Sequence, residues 1–251
     1  MNTNSECITD NIKILGIFTC YNRKKKTLSC LESIVRGNPE LEFTFLAVDD
    51  ASTDGTAEEL CRLSNVEVIR GNGSLYYSGG MRKGIAVVKE KYKDFDYCFF
   101  FNDDVDFFPE AISRMVRNLK VGSRILVGAT CTEEGNLSYS GVKKVSSWKP
   151  EFHMVYSEKQ QMECDTFNAN CVLIPFVDFL RLPNIDEVYT HSMGDFDYGL
   201  TAQKMGCIIN TTNFYVGICN KNSVKNTWQD TTLSRKTRWK LKESPKGLPA
   251  R

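Results

Sequence analysis

No apolar run in this chain approaches the roughly 20 residues that cross a bilayer. The longest, around YCFFF and CVLIPF, are the size of strands. The N-terminal MNTNSECITDN is polar and has no charged segment leading into an apolar core, so no signal peptide is expected and the cytoplasm is the expected compartment. Histidine is scarce, with only His153 and His191, and none of the ten cysteines forms a C-x-x-C pair. A structural zinc site wants close ligand pairs, so this pattern argues against one. Cys98 and Cys171 sit inside apolar runs, where Cys behaves as a small hydrophobe, and reduced buried thiols are the expectation. Net charge is low too, at +1, which argues against a surface built for nucleic acid. What is present, 41% hydrophobic and 25% charged residues over 251 positions, is the composition of an ordinary globular protein of one large α/β domain or two small ones.

The first half of the chain alternates. IKILGIFTCY reads as a strand, KKTLSCLESIVRG as a helix, and FTFLAVDD as a second strand entering the turn STDG. TAEELCRL opens a helix, with Thr56 and Glu59 spaced as a capping box. VEVIR is a third strand, GNGSLYYSGG a glycine-rich loop and MRKGIAVVKEKY a helix. DYCFFFND is a fourth, buried strand, and a helix EAISRMVRNLK follows Pro109. Strands buried on both faces and separated by helices predict a mostly parallel sheet flanked by helices.

The second half predicts an α+β continuation of the same sheet. ILVGATC and LSYSGVKK read as short strands, 146–165 as polar and irregular, and CDTFNANCVLIPF as strand-like. VDFLRLP gives a turn or two of helix, GDFDYGLTAQKMG a helix stopped at Gly206, and CIINTTNFYVGIC a strand. Residues 221–251 then carry nine Lys/Arg against Asp230 and Glu243, a net of +7, with Trp228 and Trp239 interleaved. That leaves the rest of the chain at −6. The tail ends at SPKGLPAR without an evident terminal element, and both a truncated tail and one that docks elsewhere stay open.

In an open α/β sheet, ligands bind beyond the carboxyl ends of the strands. The first strand ends in Thr19, Tyr21, Asn22 and Arg23, the second in Asp49, Asp50, Ser52 and Asp54, the fourth in Asn102, Asp103, Asp104 and Asp106. Two acidic clusters on neighbouring strands would repel unless something positive lay between them. A divalent cation with a phosphorylated ligand answers this, and hard oxygen donors suit Mg2+ or Mn2+. Acidic strand ends also serve as helix N-caps, and that alternative stands for each cluster.

Four blocks in fixed order, FTCYNRKKKTLSCLESI, VDDASTDGT, GNGSLYYSGGMRKGI with FFFNDDV, and CDTFNANCVLIP with GDFDYGLTAQKMG, span residues 14 to about 220. Together they resemble family 2 glycosyltransferases of the GT-A fold, and within them rhamnosyltransferase-like bacterial polysaccharide enzymes. The resemblance implies a GT-A domain over 1–220, with a nucleotide-binding half (about 12–110), an acceptor and catalytic half (about 111–220), and a basic tail over 221–251. It implies an inverting, metal-dependent transfer of a sugar from a nucleotide-diphosphate sugar to a hydroxyl of a glycan or lipid-linked acceptor.

Carried over position by position, Thr19, Tyr21 and Asn22 would line the nucleotide pocket, with Asp50 on the base and Ser52 nearby. Asp104 would hold the metal, Asp103 would lie near the ribose or sugar, and Lys83 would meet phosphate or base. Tyr76 and Tyr77 stand where relatives carry aromatic pairs, or only pack the loop. Asn168 and Asn170 would line the sugar site, or form a polar turn before a strand. Asp195 would be the general base at the start of a helix. Asp197 would orient the acceptor or simply be solvated, and His191 would bind acceptor hydroxyls or serve as a structural partner. Two positions depart from the pattern: Thr201 stands where relatives commonly have Arg, and Cys219 and Asn220 stand where many carry a metal-ligating His.

Other readings compete. A sugar-1-phosphate nucleotidyltransferase would carry a glycine-rich loop after the first strand, where this chain has CYNRKKK. GNGSLY is not G-x-G-x-x-G and GGMRKGIA is not a P-loop, which argues against a dehydrogenase or P-loop enzyme. A non-catalytic subunit binding sugar nucleotide or glycan is motivated by Thr201 and Cys219. The basic tail predicts peripheral contact with an anionic membrane, on the inner face of the plasma membrane, against a solvated cover for the domain.

Overall fold

The computed structural model describes residues 11–119, 124–145, 151–221, 224–244 and 247. Cys7, Lys246 and Arg251, with the 146–150 part of the polar segment, lie outside them. In chain order the elements begin with β1 (Ile12–Cys20), α1 (Lys24–Gly37), β2 (Leu41–Asp49), α2 (Thr56–Leu60), β3 (Val66–Arg70) and α3 (Tyr76–Lys91). They continue through β4 (Tyr97–Phe101), β5 (Asp106–Phe107), α4 (Ala111–Asn118), β6 (Arg124–Cys131), β7 (Leu137–Tyr139), β8 (Gly141–Lys144), β9 (Phe152–Met154) and β10 (Met162–Cys164). The last are β11 (Thr166–Phe167), β12 (Cys171–Pro175), α5 (Phe176–Arg181), α6 (Gly194–Lys204), β13 (Ile208–Ile218) and α7 (Arg235–Lys242).

The main sheet runs β10-β13-β6-β12-β4-β1-β2-β3, with β5 on β13 and β7 on β6; β11-β8-β9 form a small second sheet. The alternating first half yields the parallel block β4-β1-β2-β3, as its buried strands predict. β12 enters antiparallel between β4 and β6, and β13 lies parallel to β6. Both faces are covered. On one, Leu15 and Ile17 of β1 share a core with Met81, Ile85 and Val88 of α3. On the other, Ile14 and Phe18 share one with Leu31 and Ile34 of α1 and Ile112 and Met115 of α4. The alternate residues of one strand thus feed two cores, which is why YCFFF is continuously apolar.

Five local expectations are corrected. Thr56 is the first residue of α2 rather than its cap, which is Gly55; Asp54 Oδ1 accepts the Thr56 backbone N–H at 3.0 Å and its hydroxyl at 2.5 Å. α3 begins at Tyr76, so YYSGG is helix and not loop. Gly80 is required there by contact: a Cβ on it would lie 2.5 Å from Thr19 Cγ2. CDTFNANCVLIPF breaks into β11 and β12 with FNAN's asparagines outside both, and the polar segment supplies β9 and β10. The tail, lastly, does contain an element, α7.

Candidate functional site

The strand order reverses around β1: β2 and β3 follow on one side, and β4 lies on the other. The carboxyl end of that switch point is where a doubly wound sheet opens a crevice. A cleft of about 500 Å³ occupies it, lined by Thr19, Tyr21 and Arg23 after β1, Asp50 after β2, Gly73, Tyr76 and Tyr77 at the start of α3, Asn102, Asp103 and Asp104 after β4, and His191. The acidic clusters of β2 and β4 are not on neighbouring strands, as the sequence was read; β1 separates them.

Each cluster is met by an arginine. Asp49, fully buried, has Arg70 Nη1 at 2.7 Å from its Oδ2, which also accepts the Ser52 N–H at 3.1 Å. Arg23 Nη1 lies 2.8 Å from Asp104 Oδ2 and 3.4 Å from Asp103 Oδ1. Thr27 of α1 donates its hydroxyl to Asp103 Oδ2 at 2.8 Å. Burial pushes the Asp103 carboxyl up to about 6, with Asp104 adding to the rise and the Thr27 and Arg23 contacts opposing it.

Of the other predicted residues, Asp50, the Asn22 and Ser52 pair, and Lys83 fall into three groups, and among these only Asp50 lines the cleft. Asp50 acts as a hub: Oδ1 accepts the Gly73 N–H at 2.8 Å, and Oδ2 accepts those of Leu75 and Tyr76 at 2.9 and 3.0 Å. It therefore ties β2 to the N-terminus of α3, whose orphan donors need such an acceptor. Asn22 and Ser52 lash the β1 and β2 loops together, through Asn22 N–H to Ser52 Oγ at 2.9 Å and Thr53 N–H to Asn22 Oδ1 at 2.8 Å. Lys83 reaches the Arg70 carbonyl at 2.7 Å and is not part of the cleft lining. Asn22 (φ 51°), Ala51 (64°), Tyr76 (52°) and Met193 (70°) all lie in the lining or within two residues of it. Positive φ at non-glycine residues is strained backbone, held here by the surrounding hydrogen bonds.

Asp195 stands in the first turn of α6, with Oδ1 accepting the Phe196 N–H at 2.9 Å and Oδ2 the Ala169 N–H at 3.2 Å. Burial pushes its carboxyl up to about 6, against the pull of those two N–H groups. Tyr77, which lines the cleft, is shifted well upward by burial and then by the charge of Asp195, so the two side chains are electrostatic neighbours. α6 reaches this position because Gly194 packs on α3; a Cβ there would sit 2.5 Å from Ser78 Oγ. The segment before it is clamped to α3 as well: Arg82 Nη1 donates to the carbonyls of Asp186 and Tyr189, each at 3.0 Å, and Ser78 Oγ donates to the His191 carbonyl at 2.9 Å. The His191 ring meets Tyr76 edge-on, 6.0 Å between centroids. Burial, and then the charge of Asp197, raises the Tyr189 hydroxyl, so these two side chains are electrostatic neighbours.

Asn170, 5% exposed, ties to Asn102 through its side-chain oxygen, and its Nδ2 has no hydrogen-bond partner among the described residues. A buried unsatisfied donor is costly unless a ligand completes it. Asn168 is partly buried in the same β11–β12 connection. Cys219 Sγ lies 3.9 Å from Asp104 Oδ1, and burial, then Asp104, pushes the thiol up to about 12, so it stays protonated. The sequence reading left Arg23, Asn102 and Arg82 outside its site. The charge argument between the acidic clusters pointed to a divalent cation, whereas Arg23 meets the Asp103–Asp104 cluster alone and Arg70 meets Asp49; nothing local marked Arg82 above Lys83.

Residues 17–172 match the sequence model of the family described as glycosyl transferase family 2. No curated protein matches the chain. Among solved structures it is similar to S. aureus TarS 1-349 in complex with UDP-GlcNAc (16% identity, 84% of this chain and 59% of that one, TM-score 0.59). It is also similar to GalNAc-T7 with UDP, GalNAc and Mn2+ (11% identity, 88% and 49%, TM-score 0.61). A third is the mannosyltransferase PcManGT from Pyrobaculum calidifontis in complex with GDP-Man and Mn2+ (12% identity, 81% and 57%, TM-score 0.51). The chain spans between 49% and 59% of these three solved chains, and at such identities the likeness concerns the fold.

Proposed function

Because the chain belongs to glycosyl transferase family 2, we propose that it transfers a sugar, with inversion, from a nucleotide-diphosphate sugar to a hydroxyl of a glycan or lipid-linked acceptor. The observation that carries this is a switch-point cleft lined by the Asp104 carboxylate and by Tyr77, with Asp195, outside the lining itself, the electrostatic neighbour of that tyrosine. Residues 12–110 hold the donor in this reading, and 111–220 present the acceptor and the base.

The donor set suits a hard cation. Asp104 is the less enclosed carboxylate, its side chain 16% exposed against 6% for Asp103, and Asp103 is committed to Thr27. Among the described residues no group of three or more His, Cys, Asp or Glu could hold a metal ion, so diphosphate oxygens and water would complete the coordination. Asp104 would hold Mg2+ or Mn2+, which when bound would offset the charge of the departing diphosphate. Two of the similar structures contain Mn2+.

The chain's own residues do the rest. Thr19, Tyr21 and the Tyr76–Tyr77 pair wall the donor. Asp50 fixes the α3 N-terminus against it. Asn170 Nδ2 offers an unused donor to a sugar oxygen, beside Asn102. The acceptor oxygen attacks the anomeric carbon as the bond to the diphosphate breaks, and the acceptor proton passes to the Asp195 carboxylate. A carboxyl near 6 is ionised at neutral pH and still basic enough to take that proton.

The tail belongs to the same reading. No helix among the described residues is long and apolar enough to cross a membrane. α7, by contrast, has five Lys/Arg in RKTRWKLK, buries no residue and leaves Trp239 61% exposed. Such a segment would hold a cytoplasmic enzyme against an anionic leaflet presenting a lipid-linked acceptor. A panel of sugar nucleotides tested for Mn2+-dependent thermal stabilisation identifies the donor, because a bound ligand raises Tm with occupancy. Nucleoside diphosphate release on adding acceptor then separates an enzyme from a binding module. A panel without any stabilising member, and no release, would refute the proposal.

A further inference from the structure

The carboxylates at the mouth of the cleft already hold a cation, and it belongs to the chain. Arg23 bridges Asp104 and Asp103 through one Nη1. Both oxygens of Asp103 are engaged, one by Arg23 and one by Thr27. Asp104 gives one oxygen to Arg23, while the other lies 3.9 Å from the Cys219 sulfur. The Arg23 side chain is nonetheless 46% exposed, so it can turn away without unpacking a core.

We infer that Arg23 is a positioning residue with two stations. Without donor, it neutralises Asp103 and Asp104 and competes with the metal for Asp104. When the diphosphate of the sugar nucleotide enters, the guanidinium turns to the diphosphate oxygens and leaves Asp104 to the metal. This rests on the donor site proposed above. Three physical points support it. Two adjacent carboxylates need a counter-charge whenever the ligand is away. The described residues alone offer too few ligands for the metal to displace that charge unaided. A guanidinium fork, finally, matches phosphate oxygens as well as it matches carboxylates. Metal and nucleotide binding are thereby coupled: each is weak alone and strong with the other. If the arginine pair is closed nine-tenths of the time, the apparent affinity for metal alone falls about tenfold.

The test is a Mn2+ titration of the full chain, read by the loss of the free ion's electron paramagnetic resonance signal. It is run with Mn2+ alone, with UDP and with GDP, and a melting curve confirms that each variant is folded. Arg23→Gln should bind Mn2+ alone about tenfold more tightly than the parent, and should bind nucleoside diphosphate in the presence of Mn2+ more weakly. Arg23→Lys, which keeps the charge and loses the fork, should retain the parent's weak Mn2+ affinity while sharing the nucleotide defect. These opposite signs are the signature, because an arginine that only props the loop would lower both affinities. That result overturns the inference. So does unchanged Mn2+ affinity in Arg23→Gln; if Asp104→Asn still abolishes Mn2+-dependent nucleotide binding, the donor site itself survives. If no variant binds Mn2+ even with UDP or GDP, the inference and the metal site fall together.

Discussion

Asp195→Asn is the most informative single change. The amide keeps the size of the carboxyl group but cannot take a proton, so the transfer rate should fall by about 10²–10⁴, the usual share of a positioned general base. The structure also says whether the fold survives. Both carboxylate oxygens accept backbone N–H groups, from Phe196 and Ala169. An amide offers only one oxygen, and the N–H left unpaired costs about 1–3 kcal/mol. Against this stands a relief. A carboxyl raised from 3.8 to about 6 makes ionisation in the folded state cost about 3 kcal/mol above that pH, and the amide removes the cost. The two effects nearly cancel at pH 8, so Tm should barely move. The sign reverses in acid: a carboxyl whose pKa is raised by folding contributes stability when protonated and loses it as pH rises through about 6. The variant should therefore be the less stable of the two at pH 5. Steady-state kinetics with the identified donor and acceptor should show the loss in kcat with donor KM unchanged. The parent's rate should climb with pH and level off above about 6, while the variant's profile should lack that limb. Near-parental transfer by Asp195→Asn would refute both the base and the mechanism built on it.

Asp104→Asn should abolish Mn2+-dependent donor stabilisation with the fold intact, and by more than Asp106→Asn; equal Mn2+ stimulation in parent and variant would remove Asp104 from the site. Gly80→Ala should destabilise by about 1–3 kcal/mol through its clash with Thr19, lowering Tm by about 2–4 °C for each kcal/mol. Adding Thr19→Ser deletes the methyl group that lies 2.5 Å from the new Cβ and should recover part of the loss; a double variant no better than the single one would contradict that packing. Co-sedimentation with vesicles containing anionic lipid should weaken with salt and with neutralisation of Lys236, Arg238 and Lys240, since each basic residue near such a surface contributes about 1 kcal/mol. Binding indifferent to both lipid charge and salt would exclude the membrane role of the tail.

Much of this protein was legible in one dimension. Period and length suffice to separate a continuously apolar strand such as YCFFF from the amphipathic helix after it, and alternation of the two forces a parallel sheet covered on both faces. The strand-end residues Thr19, Tyr21, Asp103 and Asp104 were legible too, because ligands meet such sheets at their carboxyl ends. Sequence could not order the strands. Register and adjacency arise from contacts between distant segments, so only the fold set β1 between the two acidic clusters, and β12 antiparallel beside β4. It could not start α3 at Tyr76 either, since a local reading sees GNGSLYYSGG as breakers, whereas Asp50, more than twenty residues earlier, supplies the acceptors that begin the helix. Lys83 and Arg82 show the same limit: adjacent on one helix, they point to the Arg70 carbonyl and to the carbonyls of Asp186 and Tyr189. The sequence determined which chemistry was present. Which groups meet, and whether a charge faces ligand, metal or another side chain, was decided by packing, because electrostatic partners are chosen by distance in space and not along the chain.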